Sequence, residues 1–306
     1  MTHSPIQIET LSKTFGVVPA LNSVSLTVEA GEMFGLIGHN GAGKSTLFKL
    51  MLGLLQASAG SVRVHGVDTA SGDFRQVRRR IGYLPESFVT YDNLSGMEVL
   101  QLFADLKKVP RATCAGVLER VGLGAAAARR VHTYSKGMRQ RLGFAQALLG
   151  DPDLIFLDEP TNGLDPEGIA DFYAILRDAR ARGATIVVTS HILAEIQDRV
   201  DRLLILHSGQ IAAQGTLSQL RGRVALPSTI VATVHAAQHA AARGALGAIG
   251  ELELHSEGDQ LTISCRGAQK MAVLSLLSPL ATDIVIHEPT LEDVFLGQGG
   301  RNDRAH

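Results

Sequence analysis

Gly38, Gly43, Lys44 and Ser45 stand at the spacing G-x-x-x-x-G-K-[ST], inside the run Gly38-His39-Asn40-Gly41-Ala42-Gly43-Lys44-Ser45-Thr46. These residue types suit a polyphosphate. Backbone N–H groups can meet several negative charges only where no Cβ intrudes, hence the glycines, and the positive end of a following helix adds to the attraction. Lys44 is placed to reach the β- and γ-phosphates, and the Ser45 hydroxyl to ligate Mg²⁺. A second group of candidates, Asp158-Glu159, ends the apolar run Leu154-Ile155-Phe156-Leu157. Successive side chains at a strand end point to different sides, so one carboxylate can hold the metal while the next faces an attacking water. Asp158 is therefore assigned to the metal and Glu159 to general base or water polariser, a positioned base being worth about 10²–10⁴-fold in rate, roughly 3–5 kcal/mol of barrier. His191 ends the next apolar run and can hydrogen-bond a γ-phosphate, although a lone histidine there is more often a structural residue.

The elements that must position these groups follow from periodicity. Phe34–Ile37 reads as an apolar strand entering the glycine-rich loop, and Thr46–Leu55 as a buried helix leaving it. Ile6, Ile8 and Leu11 begin an alternating strand that closes at Phe15-Gly16, where Phe15 either stacks on a nucleotide base or packs as an edge-strand residue. Helical spacing is expected over Leu94–Lys107, Cys114–Val121, Leu142–Leu149 and Ile169–Arg182, and a buried strand over Thr185–His191. The basic run Arg75–Arg80 reads as a solvated helix face. Apolar strands alternating with helices imply a mostly parallel sheet covered on both faces, an α/β class. After Leu226-Pro227-Ser228 the order becomes strand, Ala-rich helix, two strands, helix and strand, the split-βαβ arrangement, followed by a closing helix at Leu291–Leu296. The expected organisation is a nucleotide-binding domain over 1–222, a linker at 223–228, and a small α+β domain with a flexible tail over 229–306.

Composition narrows the class. The 306 residues are 45% hydrophobic with a net charge of −1, so a large core is expected and no global field favours nucleic acid or anionic lipid. Cys114 and Cys265 are too far apart in sequence to suggest a zinc site and suit a reducing compartment. Neither a signal peptide nor an apolar run of ~18 residues is read from the sequence, so a membrane role is expected to come through a partner.

Taken in order, the phosphate loop, Ser135-Lys136-Gly137-Met138-Arg139-Gln140-Arg141, Leu154–Glu159, Gly163-Leu164-Asp165-Pro166 and His191 resemble the motif series of ATP-binding-cassette ATPases. The resemblance covers about Ile6 to Leu220. It implies a P-loop NTPase of cassette type, with an antiparallel β subdomain and a helical subdomain beside the core sheet, that hydrolyses ATP with Mg²⁺. It further implies that Phe15 takes the base-stacking position and that Ser135 and Gly137 form a signature loop touching the γ-phosphate on an opposite subunit. Asp165 would lie in the loop crossing between subunits, and His191 would be the switch histidine. The implied assembly is a head-to-tail dimer with nucleotide sandwiched between two copies, peripheral on the cytoplasmic face of a membrane and joined to a permease.

Two positions depart from the family pattern. The usual Leu-Ser-Gly-Gly-Gln is here Tyr134-Ser135-Lys136-Gly137-Met138, and Glu86 replaces the glutamine that senses Mg²⁺ and couples to the permease. A carboxylate at Glu86 can ligate magnesium but cannot donate an N–H to water. Tyr83-Leu84-Pro85-Glu86, Tyr134–Gly150 and Leu217–Arg221 look like the ATPase of the nitrous-oxide-reductase maturation system, while Glu288–Phe295 is similar to the ends of the wider ABC-2 exporter ATPases. The maturation resemblance implies a permease, a periplasmic accessory protein and support of copper–sulfur centre assembly. No Cys/Met/His cluster in the sequence suggests that this chain binds copper itself. The other readings are an ABC-2 exporter for a drug, lipid or polysaccharide, and a cassette ATPase acting on DNA or ribosomes. The neutral charge and the absence of a long coiled-coil insertion count against the last, so no nucleic-acid partner is expected.

Overall fold

The structure, a computed structural model, describes residues 4–223, 228–250 and 252–287. The chain divides into two compact units, Met1–Leu217 and Ser218–His306. In the first, β1 (Ile6–Phe15) and β2 (Val18–Val28) form an antiparallel pair. Together with β4 (Ala59–Val64) and β5 (Val67–Asp68) they make a four-stranded sheet of order β2-β1-β4-β5. The chain between them enters a second sheet through β3 (Met33–Ile37), which is buried throughout because it is flanked on both sides. Its companions are β6 (Ile81–Leu84), β7 (Leu154–Leu157), β8 (Thr185–Ser190), β9 (Arg202–His207) and β10 (Gln210–Gly215). The order is β10-β9-β3-β8-β7-β6, parallel except for the edge strand β10. The expected parallel sheet and antiparallel subdomain are both present.

One core serves both sheets. Helix α1 (Lys44–Met51) buries Leu47, Phe48, Leu50 and Met51 in a cluster that also takes Ile6, Ile8 and Leu11 from β1 and Phe34, Leu36, Phe156 and Leu204 from the parallel sheet. Phe48 meets Phe156 edge to face, with ring centroids 5.4 Å apart. The helix starts two residues earlier and stops four residues sooner than periodicity suggests. Gly53, at φ +63°, turns the chain there, and a side chain on it would strike the Phe74 ring and the Thr69 carbonyl.

The basic run is not one helix. Helix α2 (Phe74–Val77) passes into a 3₁₀ turn over Arg78–Arg80, whose arginines lie over the Phe74 ring and against Asp153. The helical subdomain is α3 (Gly96–Lys107), α4 (Thr113–Arg120) and α5 (Lys136–Leu148). A capping box fixes the start of α3: Ser95 Oγ accepts from the Glu98 N–H, and Glu98 Oε2 accepts from the Ser95 N–H. Helix α5 begins at Lys136, not Leu142, because Ser135 caps it by accepting from the Met138 N–H at 3.2 Å. Helix α6 (Pro166–Ala181), capped by Asp165, leads to β8, and α7 (Leu193–Ile196) to β9.

The second unit begins within α8 (Leu217–Arg223). Strands β11 (Ser228–Val234), β12 (Glu253–Glu257), β13 (Gln260–Cys265) and β14 (Ala281–His287) form an antiparallel sheet of order β12-β13-β11-β14. Helices α9 (His239–Leu246) and α10 (Gly267–Leu277) join them in the expected split-βαβ order. Ile230, Ala232, Val234, Leu261, Ile263 and Cys265 pack with Leu246, Val273 and Leu277 into a separate core. Both cysteines are buried free thiols. Residues 224–227 of the expected linker, the closing helix at Leu291–Leu296 and the tail beyond it lie outside the described residues.

Phe48→Ala is expected to lower the stability of the first unit by about 3–5 kcal/mol, the usual cost of truncating a buried phenylalanine. Urea denaturation followed by circular dichroism measures it, and a loss below about 1 kcal/mol would contradict the shared core described here.

Candidate active site

The polar groups gather where β3, β7 and β8 end together. Register pairs Ile37 with Ser190, and Leu157 with Val188, so the chain leaving β3 emerges beside the chains leaving the other two. This is the carboxyl edge of a parallel sheet, the place where open α/β folds bind ligands. The loop after β3 is held from behind. The Gly209 N–H donates to Ala42 O at 3.0 Å, and the Ala42 N–H to His39 O at 3.0 Å. Side chains are excluded at two points: a Cβ on Gly38 would sit 2.5 Å from Leu206 O, and one on Gly43, at φ +106°, 2.7 Å from Ala20 O. A Cβ on Gly41 would meet nothing within 4 Å, which leaves its outward side open.

Lys44 is only 6% exposed, so its ammonium must be compensated by fixed partners. It donates to Gly38 O at 2.5 Å and lies 3.5 Å from Glu159 Oε1. The other carboxylate oxygen, Glu159 Oε2, is 2.7 Å from His191 Nδ1. Glu159 adopts φ +47°, a left-handed conformation costing a non-glycine residue on the order of 1–3 kcal/mol, and this turn directs it toward Lys44 and His191. Asp158 accepts from Thr189 Oγ1 at 2.7 Å. Burial pushes the Asp158 carboxyl above its ordinary pKa, the Thr189 hydrogen bond opposes this, and the nearby charges of Glu86 and Glu159 push it further up, with Lys44 countering.

A cleft of about 240 Å³ opens between these groups, bordered by His39, Asn40, Gly41, Gly43, Lys44, Ser45, Thr46, Glu86, Asp158, Glu159 and His191. The structure thus brings together most of the residues singled out in the sequence. Ala20 and Asn162 also border it and had no sequence signal, since neither belongs to a phosphate-loop or carboxylate pattern. Gly38 and Ala42 support the loop without lining the cleft. Phe15, 47% exposed at the end of β1 with the Lys13 ammonium over its ring, does not line it either. Ser135, Gly137 and Asp165 form a second locality: a Cβ on Gly137 would lie 3.7 Å from Gly163 O and 3.9 Å from Leu164, and Asp165 accepts from the Gly168 N–H at 2.9 Å. Ser45, Glu86 and Asp158 present oxygen donors, the kind a hard cation such as Mg²⁺ takes alongside phosphate oxygens and water.

Fold and site define a P-loop nucleotide-binding ATPase. The ABC transporter family model matches residues 21–162. The daunorubicin resistance ATP-binding protein DrrA3 of Streptomyces coeruleorubidus is 32% identical over 99% of this chain and 98% of its own length. An ABC transporter ATP-binding protein of Nostoc, all4389, is 45% identical over 67% of this chain, and the match spans 62% of that relative. Among solved structures, an ATP-binding subunit of an ABC transporter superposes with a TM-score of 0.67 at 33% identity, covering 72% of this chain and 93% of its own. The bacterial ABC transporter cassette MJ0796, described as dimeric, has a TM-score of 0.65 at 25% identity over 69% of this chain and 98% of its own. The chain belongs to the ABC transporter ATP-binding family, and its first unit is an ATP-hydrolysing cassette.

Gly43→Ala is expected to weaken ATP binding by at least about tenfold, because the new Cβ meets a left-handed backbone and a fixed carbonyl. Titration with a fluorescent ATP analogue checks this, and unchanged affinity would contradict the tight packing of the loop.

Proposed function

We propose that this chain is the energising subunit of an ABC-2 type exporter, converting ATP hydrolysis into movement of a membrane permease. The observation that carries the reading is the convergence of Lys44, Asp158, Glu159 and His191 on one cleft at the sheet edge. The near full-length similarity to a daunorubicin resistance ATP-binding protein supports it. Lys44 would exchange Gly38 O and Glu159 for the β- and γ-phosphates, and Ser45, Asp158 and Glu86 would hold Mg²⁺. That ion, when bound, would supply positive charge against the phosphate oxygens. Freed from Lys44, Glu159 takes a proton from water as the water oxygen bonds to the γ-phosphorus. The bond from that phosphorus to the β,γ-bridging oxygen breaks, and its electron pair leaves with ADP. His191, already beside Glu159, would hydrogen-bond the γ-phosphate.

Ser135, Gly137 and Asp165 find their use in a dimer. They lie around the start of α5 and the loop before α6, where a second copy can bring its own nucleotide in head-to-tail arrangement. Phe15, half exposed at a strand end, would stack on adenine once the Lys13 ammonium over its ring gives way. The permease would dock on the loop after Glu86 and on α3. The Phe88 and Phe103 rings, 5.9 Å apart, tie the two together, and Val89, Tyr91, Leu102 and Leu106 are exposed beside them. No helix among the described residues is long and apolar enough to cross a membrane, and the chain would reach the membrane's cytoplasmic face through its permease.

The finer reading, service to nitrous oxide reductase maturation with a periplasmic accessory protein, rests on the resemblance of Tyr83–Glu86, Tyr134–Gly150 and Leu217–Arg221. The drug-resistance relative favours the broader exporter reading. Neighbouring genes separate the two: a periplasmic repeat protein and nitrous oxide reductase beside the permease would mark maturation.

Glu159→Gln should bind ATP with near-normal affinity and hydrolyse it about 10²–10⁴-fold more slowly; turnover close to the wild-type rate would remove Glu159 as base. Val89→Asp combined with Leu102→Glu should abolish co-purification with the permease while leaving the cassette folded. An intact complex would move the docking surface elsewhere.

A further inference from the structure

Thr189 has no role in the reading above, yet it bonds the Asp158 carboxylate and the Glu159 backbone. It is fully buried near the end of β8. Its hydroxyl donates to Asp158 Oδ1 at 2.7 Å and accepts from the Glu159 backbone N–H at 2.8 Å. A hydroxyl has one proton and two lone pairs, so these bonds use its one donor and one of its acceptor sites.

The position of these bonds shows what they do. The parallel ladder between β7 and β8 ends at Leu157 and Val188. Beyond it the β7 chain cannot continue extended, because Glu159 turns into the left-handed region at φ +47°. Its N–H leaves the ladder at that point, inside the protein, where an unmet donor is costly. The Thr189 side chain supplies the acceptor that the backbone of β8 no longer provides. The same oxygen's proton occupies Oδ1 of Asp158, a residue that borders the cleft, and leaves Oδ2 out of that bond. One side chain thus holds the carboxylate orientation at Asp158 and the turn at Glu159.

We propose that Thr189 is a positioning residue for ATP hydrolysis, setting the metal-holding face of Asp158 and the aim of Glu159 through one hydroxyl. This rests on the roles assigned to those two carboxylates above. Removing a group that orients a ligand in this way typically costs about 10–100-fold.

The test compares Thr189→Val, which keeps the β-branched shape and deletes the hydroxyl, with Thr189→Ser, which keeps the hydroxyl and deletes the methyl. Both are made in the full chain, with circular dichroism melts to confirm folding. For Thr189→Val the expected result is a kcat about 10–100-fold lower with the KM for ATP changed less than about threefold. Manganese binding to the ATP-loaded chain, followed by electron paramagnetic resonance in place of magnesium, should weaken about tenfold or more. Thr189→Ser should restore kcat to within about threefold of wild type and restore manganese affinity. Wild-type kcat and manganese affinity in Thr189→Val would overturn the proposal, as would a Thr189→Ser variant as impaired as Thr189→Val, since packing by the methyl would then be the cause. If Thr189→Val does not fold, the serine variant decides alone: rescue supports the hydroxyl, and impairment overturns it. Glu159→Gln, run beside them, separates the two levels. Near-normal turnover there would remove the base, whereas a normal Thr189→Val beside an inactive Glu159→Gln removes only the role of Thr189.

Discussion

The cleft depends on three parallel strands ending at the same level. Because β3 is hydrogen-bonded to β8 on one side and β9 on the other, its end is held in register with Ser190 and Ile205. The phosphate loop therefore emerges within reach of Asp158 and Glu159, although more than a hundred residues separate them in sequence. A slip of one residue in any of these strands would turn alternate side chains to the other face and scatter the charges. The unbroken apolar character of β3 and β7 prevents it: both are buried on both faces and have no polar side to offer water.

Within that frame the charges balance one another. The buried Lys44 ammonium is met by a carbonyl and by Glu159, and Glu159 is met in turn by His191. Lys44 thus joins the loop after β3 to the carboxylate that ends β7 through one side chain. The second locality, at the starts of α5 and α6, uses a different device. Ser135 and Asp165 each cap a helix by accepting a backbone N–H of its first turn. The departures from the family pattern fall in these two places. Glu86 adds a negative charge beside Asp158, and the Lys136 side chain runs across Gly163, whose lack of a Cβ makes room for it.

Much was legible in the residues alone where local rules are strong. G-x-x-x-x-G-K-[ST] between an apolar strand and a helix can be read without tertiary knowledge, because its glycines answer a backbone requirement and its lysine a charge requirement. The split-βαβ order of the second unit was legible for a similar reason, since its strands alternate and its helices carry small and apolar residues. Helix limits were read less well. Ser135 begins α5 and Gly53 closes off α1 through single hydrogen bonds and contacts that apolar spacing does not encode.

The types of the reacting groups, their order along the chain and the apolar strands that carry them were determined by the sequence itself, because each obeys a rule acting over a few residues. The tertiary structure alone decided that β9, which sequence reading left unassigned, lies beside β3, and that the Gly209 turn braces the phosphate loop. It alone decided that Thr189 joins the Asp158 carboxylate to the Glu159 backbone N–H, and that Glu159 turns left-handed to meet Lys44 and His191. These are contacts between residues far apart in sequence. They exist only once the buried strands have settled their register, and no spacing of residue types along a single segment records them.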